Sequence, residues 1–173
     1  AAPPRFLVPE AVSQLNREGS AAGSLLEYRS PGEDFVLLLD RHWYVMQQPP
    51  QLSVLRWVED DQFVAQCTLK SLPVLGDKKP PTLADFQRDI KRALGESAQQ
   101  VVDAREAELV DGLRALKVIV SGRVGDAPIQ WIYYHLSHSS GRCLACVFTL
   151  SAEEVERFGG EDITLASSLL FLD

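Results

Sequence analysis

The sequence predicts an α+β domain in which helices pack over an antiparallel sheet of about six to seven strands. Most segments between residues 25 and 150 alternate apolar and polar side chains with the period of a strand. Two segments instead begin with capping residues and continue into helices. The order of elements is strands, helix, strands, helix, which disfavours a parallel nucleotide-binding sheet because that architecture needs a helix after nearly every strand.

Size and composition fit one globular domain. The chain has 173 residues, of which 46% are hydrophobic and 24% charged, as expected for a protein with one substantial core. Its formal net charge of −7 would repel phosphate backbones, so nucleic acid is not an expected partner. The apolar stretches Phe35–Leu39 and Leu165–Leu172 are much shorter than the ~20 residues of a membrane-spanning helix. A soluble protein without a membrane span is therefore expected.

The first residues are predicted to form an N-terminal extension or linker. Pro9 and Gly19 bracket a short helix, and residues 19–24 have the linker-like sequence Gly-Ser-Ala-Ala-Gly-Ser. The predicted boundaries are residues 1–24 for the extension and 25–173 for a single domain, which fits a piece of a longer polypeptide. The three cysteines neither require nor exclude an oxidising compartment. The localisation stays open between the cytoplasm and export after removal of an upstream segment.

Strands dominate the domain. The predicted strands are Leu25–Arg29, Phe35–Met46, Leu52–Val58, Gln62–Lys70, Val101–Leu109, Leu113–Val124, Ile129–His135 and Cys143–Leu150. In the fourth strand, the odd positions from Phe63 to Leu69 are apolar and are predicted to face the core. The even positions are polar except Val64. The hairpin that contains this strand is therefore predicted to have one face in water.

The helices are marked by their capping residues. Thr82 and Asp85 fit a capping box, and Gly95 ends the helix that follows. A second capping box starts at Ser151, and a Gly-Gly pair separates its helix from a last apolar segment. The predicted helices are Thr82–Leu94, Ser151 to about Phe158, and Ile163–Leu172.

Paired histidines and cysteines are the sharpest candidate for a chemical site. His135-x-x-His138 precedes Cys143-x-x-Cys146, and two pairs of nitrogen and sulfur ligands are typical of tetrahedral zinc. Residues three apart on a strand point to opposite faces, however, so the two sulfurs reach one metal only if the strand is broken. Cys146 is expected on the core face. His135, His138 and Cys143 are the candidate metal ligands that remain, and no cofactor is predicted.

Two other segments could bear chemistry. The acidic turn Glu59–Asp61 has the charge density for a divalent cation but lacks the spacing of a calcium-binding loop. His42 could act as a general base, although no nucleophile with a partner lies near it in sequence. For both segments the alternative is an ordinary solvated turn, and no catalytic residue is assigned.

Aromatic side chains alternate along one predicted strand. Trp131, Tyr133 and His135 share one face, and the other face is formed by Ile132, Tyr134 and Leu136. If helices cover one side of the sheet alone, the row of Trp131, Tyr133 and His135 could be a recognition surface, because Trp and Tyr are favoured at interfaces. If helices cover both sides, both rows belong to the core.

The order of elements and several local patterns resemble the PsbP-like α/β/α sandwich family. The patterns are Asp40–Trp43 (DRHW), Phe63–Cys67 (FVAQC), Thr82–Phe86 (TLADF), the hairpins around Trp131 and the closing segment Val155–Leu172. The resemblance covers about residues 25–173 and implies helices on both faces of the sheet. The fold includes photosystem II extrinsic subunits, a Ran-binding nucleotide-release protein, mycobacterial lipoproteins and bacterial secretion adaptors. It implies an interaction module, and none of its motifs is catalytic.

Together these observations predict a non-catalytic binding or adaptor domain, of bacterial origin, that acts through a protein partner. The alternative is a small-ligand or metal-binding protein that uses His135, His138 and Cys143 or the acidic turn. A third hypothesis is an enzyme of an unrecognised class, for which His42 is the candidate residue.

Overall fold

The computed structural model describes residues 25–46, 52–109 and 112–172, and the predicted extension of residues 1–24 lies outside them. The strands are β1 (Leu25–Arg29), β2 (Phe35–Asp40), β3 (Trp43–Val45), β4 (Leu52–Glu59), β5 (Gln62–Leu72), β6 (Ala98–Glu108), β7 (Leu113–Val124), β8 (Ala127–His138), β9 (Cys143–Ser151) and β10 (Leu170–Phe171). The α-helices are α1 (Leu83–Leu94), α2 (Val155–Phe158) and α3 (Glu161–Ser167).

The strands form two antiparallel sheets. The large sheet has seven strands in the order β3-β4-β5-β9-β8-β7-β6, and the small sheet has three in the order β1-β2-β10. Every neighbouring pair is antiparallel. The sequence prediction of an α+β fold on an antiparallel sheet is therefore confirmed.

Both faces of the large sheet carry a further layer. On one face, the small sheet, α2 and α3 enclose the main core, which includes Tyr28, Leu37, Phe148 and Phe158. On the other face, Ile90 of α1 packs against residues of β7 and β8 in a second, smaller core. Helices on both faces, which the resemblance implied, are confirmed.

Helix α1 begins where its capping box predicts. The Thr82 side-chain oxygen accepts a hydrogen bond from the Asp85 backbone N–H at 3.1 Å, and the Asp85 carboxylate accepts one from the Thr82 N–H at 3.4 Å. Gly95 follows the last turn with φ of 56°, a backbone conformation that glycine adopts without a steric cost. No helix among the described residues has the length and hydropathy to cross a membrane.

The predicted strand Phe35–Met46 is wrong as one element, because the chain leaves the small sheet at Asp40 and enters the large sheet at Trp43. The Asp40 carboxylate accepts a hydrogen bond from the backbone N–H of His42 at 3.0 Å, which holds a tight turn. Beyond it, the His42 carbonyl pairs with the N–H of Val58 at 3.0 Å. A two-residue turn thus connects the two layers.

The predicted helix Ile163–Leu172 is also wrong at its end. Helix α3 stops at Ser167, and Leu170–Phe171 form β10 beside β2. The hydroxyl of Ser168 donates to the carbonyl of Leu165 at 2.7 Å and accepts from the backbone N–H of Leu38 at 3.0 Å. The Ser168 hydroxyl thus supplies a hydrogen-bond partner for a carbonyl at the end of α3 and for a backbone N–H of β2. These two bonds allow the chain to leave the helix and enter the small sheet there.

A β-bulge reverses the predicted orientation at the start of β5. The register with β4 shifts between Trp57 and Val58, so one extra residue is inserted on the β5 side. Val64 is fully buried, whereas Phe63 is 51% exposed. Phe63 was predicted to face the core and Val64 the solvent, and the bulge exchanges them.

Candidate functional site

The row of Trp131, Tyr133 and His135 lies largely beneath α1. Trp131 and His135 are buried, with 6% and 8% of their surfaces exposed. The ring of Phe86 on α1 meets the rings of Tyr133 and His135 edge-on, at centroid distances of 6.5 and 5.9 Å. The row therefore packs against this helix as part of the second core.

Burial shifts the pKa values of two side chains in this row. The pKa of the His135 imidazole lies below its usual value because burial disfavours its charged form, and the nearby Arg114 guanidinium adds to this effect. Burial likewise raises the pKa of the Tyr133 hydroxyl. Both side chains are thus held neutral at physiological pH, as residues of an apolar contact should be.

The structure separates the predicted metal ligands. His135 lies under α1, whereas His138, three residues along the strand, points to the other face and its ring lies 6.2 Å from that of Phe171. The His138 Nδ1 atom is 2.9 Å from the Ser140 hydroxyl. The Cys143 thiol is buried and lies 3.6 Å from the carbonyl oxygen of Gly141. Across the ranges that the structure describes, no three His, Cys, Asp or Glu side chains converge on a metal position.

The acidic turn is a tight hairpin connection. Asp60 and Asp61 have φ of 52° and 62°, the pair of left-handed residues that a two-residue turn requires. Close by, Nδ1 of His42 lies 2.7 Å from the Asp40 carboxylate. Burial raises the pKa of Glu161, and the negative charge of Asp40 raises it further. His42 therefore sits beside carboxylates, and the contact of its Nδ1 atom with Asp40 orients its ring.

Half of one large-sheet face is left without a helix by the described residues. Helix α1 lies over β6, β7 and β8, and the same face continues across β9, β5, β4 and β3. We call this continuation the open face. The side chains of the open face are Tyr44, Met46, Leu52, Val54, Arg56, Val58, Phe63, Gln66, Thr68, Lys70, Ala145, Val147 and Thr149.

The open face combines exposed apolar surface with positive charge. Phe63 is 51% and Met46 42% exposed. The Arg56 guanidinium lies over the Phe63 ring, 5.7 Å from its centroid, and its Nε donates to the Gln66 side chain at 3.1 Å. Arg56 and Lys70 are its charged residues, and none of its described members is a carboxylate, in a chain with a net charge of −7.

Phe63 and Arg56 are thus the surface residues that sequence reasoning missed. Phe63 follows the same alternation as the buried Cys67 and Leu69, so its period alone assigns it to the core. The available signal was Val64, an apolar residue on the polar face of the predicted strand. Such a break in alternation beside a turn is where a bulge is expected.

A groove lies at the end of the large sheet away from Phe63, where β5 ends. The groove has a volume of about 420 Å³ and is lined by Asp34, Ser71, Arg142, Cys143 and apolar residues that include Phe171. Ser71 donates to the Asp34 carboxylate at 3.2 Å, and Arg142 reaches the Asp34 carbonyl at 3.4 Å. The groove is thus lined by one cation, Arg142, and one anion, Asp34, which gives it little net attraction for either sign of ligand.

A buried polar cluster joins the large sheet to α3. The Asp162 carboxylate accepts a hydrogen bond from the Tyr134 hydroxyl at 2.6 Å and lies 2.8 Å from the Lys117 ammonium. Burial raises the pKa of Tyr134, and the Asp162 charge raises it further. With Asp162 only 2% exposed, this cluster has no access for a substrate and acts as a structural link.

Solved structures of other proteins share this fold. No family model matches the chain. Cyanobacterial PsbP from Synechocystis aligns with a TM-score of 0.64 at 15% identity, over 89% of this chain and 95% of that protein. The Ran-binding protein Mog1p of Saccharomyces cerevisiae aligns with a TM-score of 0.58 at 8% identity, over 87% of this chain and 96% of Mog1p.

A protein of Bacteroides thetaiotaomicron also aligns, with a TM-score of 0.57 at 11% identity, over 85% of this chain. The aligned region is 48% of that protein, so this chain spans about half of its length. At these identities the likeness concerns the arrangement of the backbone and not the residues of any site. The chain has the PsbP/Mog1-like fold, as its sequence patterns indicated.

Proposed function

We propose that the domain is a non-catalytic protein-binding module that holds an acidic, partly apolar segment of its partner on the open face. The observation that carries this proposal is an exposed aromatic ring, Phe63, beneath an arginine on a face whose described residues include no carboxylate. An acidic segment would gain favourable charge interactions here, while the remaining, mainly acidic surface of the molecule would repel it.

The residue types on the open face fit an interface centre. Aromatic residues and arginine dominate the binding energy of protein interfaces, particularly where neighbouring side chains exclude water from them. Tyr44 lies opposite Arg56 and Val58 lies opposite Phe63 in the sheet, and both of these neighbours are half-buried. A partner that covers this area would remove apolar surface from water and complete the layer that α1 begins.

The fold is compatible with this role. Mog1p, which shares the fold, is a Ran-binding protein, so this arrangement of strands and helices can present a protein-binding surface. For the present chain the partner class rests on the open face alone. The groove beside Arg142 is less favoured as a site, because Asp34 places a carboxylate next to its cation.

Site-specific photo-cross-linking tests the proposal. A photoreactive amino acid replaces Phe63 in the full chain, and the matched control carries it at Val124, which is 58% exposed and lies at the end of β7. Both proteins are irradiated in an extract of the source organism. We expect a specific protein adduct at position 63 that is absent at 124 and weakens with Arg56→Glu and with added salt.

The recovered partner then allows a quantitative test. Phe63→Ser and Arg56→Glu are each expected to weaken binding by about tenfold or more, whereas Val124→Ser leaves affinity unchanged. Equal adducts at positions 63 and 124 would overturn the proposal. Cross-links from position 63 into residues 1–24 of the same chain would also overturn it, because the chain itself would then occupy the open face.

A further inference from the structure

Two cysteines meet inside the main core. Cys67 lies on β5 and Cys146 on β9, and their sulfur atoms are 3.4 Å apart. Cys67 is 0% and Cys146 4% exposed. The two positions are 79 residues apart in sequence, so the pairing of β5 with β9 alone brings the thiols together.

The strand register fixes this proximity. In the antiparallel pair of β5 and β9, Cys67 lies opposite Phe148 and Cys146 opposite Leu69. The two cysteines are therefore diagonal neighbours on one face of adjacent strands, within reach of each other's side chains. A disulfide bond is about 2.05 Å long, so side-chain rotation must close roughly 1.4 Å of the present sulfur-to-sulfur separation.

We propose that Cys67 and Cys146 form a disulfide bond when the chain folds in an oxidising compartment, by exchange with a low-molecular-weight disulfide such as oxidised glutathione. The bond would join the central strand of the large sheet, β9, to its neighbour β5. Cys143 takes no part, because it lies three residues from Cys146 on the same strand and faces the opposite side of the sheet.

The exchange has two steps. One cysteine loses its proton to solvent, and its thiolate attacks oxidised glutathione, breaking that S–S bond and expelling one glutathione thiolate. The second cysteine, also as a thiolate, attacks the protein sulfur of the mixed disulfide, forming the Cys67–Cys146 bond and expelling the second glutathione. The two protein thiols lose two electrons, and one oxidised glutathione becomes two reduced molecules.

Burial of the two thiols in the main core limits when this exchange can occur. Burial raises the pKa of the Cys67 thiol well above its usual value, and Cys146 beside it adds to the effect. The Cys67 thiolate therefore forms more readily before the small sheet, α2 and α3 pack over β5 and β9. Once formed, the bond is shielded from reductants by the same packing.

Mass spectrometry of the refolded chain tests the inference without any substitution. The full chain is refolded from urea with oxidised and reduced glutathione, or with a phosphine reductant. Exchange is stopped with acid, the small molecules are removed, and the denatured chain is alkylated near neutral pH. We expect one alkylated cysteine, Cys143, after oxidative refolding and three after reductive refolding. Non-reducing digestion is expected to give one linked peptide pair that contains Cys67 and Cys146.

Variants and a melting curve complete the experiment. Cys143→Ser retains the bond and leaves no cysteine to alkylate, whereas Cys146→Ala leaves two. The oxidised protein is expected to melt about 10 °C above the reduced one, since the bond closes a long loop in the unfolded chain. Three alkylated cysteines under both conditions, a bond to Cys143, or a lower melting temperature on oxidation would overturn the inference.

Discussion

Removal of the Asp162 carboxylate should destabilise the protein strongly, because two buried groups depend on it. Asp162→Ala leaves the Tyr134 hydroxyl without the acceptor now 2.6 Å away and the Lys117 ammonium without the anion now 2.8 Å away. The side chain of Lys117 is 15% exposed, so its charge has little water to replace the lost partner.

The expected magnitude follows from these two losses. Breaking a buried ion pair by removing one partner costs about 3–5 kcal/mol, and the partial exposure of Lys117 places this case near the lower limit. An unpaired buried hydroxyl adds about 1 kcal/mol. We therefore expect a loss of about 3–4 kcal/mol in the free energy of unfolding, which corresponds to about 10 °C in melting temperature for a chain of this size.

Urea unfolding followed by tryptophan fluorescence measures the effect. Asp89→Ala is the matched control, because Asp89 also pairs with a cation, at 3.8 Å from Arg92, but both side chains are largely exposed. That change should cost less than about 0.5 kcal/mol. The urea dependence of the unfolding free energy should be the same in all variants, so that midpoints can be compared directly.

A second pair of variants separates the two causes. Asp162→Asn keeps an acceptor for Tyr134 but leaves Lys117 uncompensated, so it should still destabilise the protein. Adding Lys117→Met should recover most of the loss, because no buried charge then remains. If Asp162→Ala costs no more than Asp89→Ala, or if Lys117→Met deepens the loss, the buried ion pair is not what holds α3 to the sheet.

Two other changes test the packing around α1. Gly122→Ala should cost about 3 kcal/mol, because its Cβ atom would collide with the backbone carbonyl of Ser97. The control Gly160→Ala meets no atom within 4 Å and should cost under about 1 kcal/mol. Similar urea midpoints for the two variants would contradict this steric argument. His135, whose pKa is lowered by burial and by Arg114, binds fewer protons folded than unfolded, so its contribution to stability is present above about pH 6.5 and is lost as the pH falls. His135→Leu should therefore lose less stability than the wild type between about pH 7 and pH 5, and equal slopes in urea titrations would refute the assignment.

The sequence predicted the large elements because their signals are local. The capping box of Thr82 and Asp85 lies within one helical turn, and alternation along β7, β8 and β9 extends over many residues. Such signals need no knowledge of what the segment packs against. The positions of these elements were accordingly predicted to within a few residues.

The assignment of strands to the two sheets was harder to predict. It depends on short segments that lie between strongly patterned strands and helices. The run Phe35–Asp40 and the run Trp43–Val45 have the same apolar character, and the two residues between them contain no Gly or Pro to mark a turn. Leu170 and Phe171 continue an apolar segment that the sequence predicts to be helical. Only their pairing with β2 makes them a strand.

The open face could not be predicted for a similar reason. The row of Trp131, Tyr133 and His135 was predicted to be a recognition surface if helices covered one side of the sheet alone, and core if they covered both. Helix α1 lies over that part of the sheet. Phe63, which is exposed, follows the alternation of a core residue, and the bulge that turns it outward is a property of two paired strands. No single strand contains the information that decides its orientation.

The small sheet can be completed only late in synthesis. Its central strand, β2, pairs with β1 from its own neighbourhood and with β10, which contains Phe171. At about 5–20 residues per second, a ribosome needs roughly ten seconds to proceed from β2 to β10. During that time one edge of β2 has no strand beside it and can pair with another chain. For this nascent chain, the free edge of β2 is the place where aggregation competes with folding until β10 emerges.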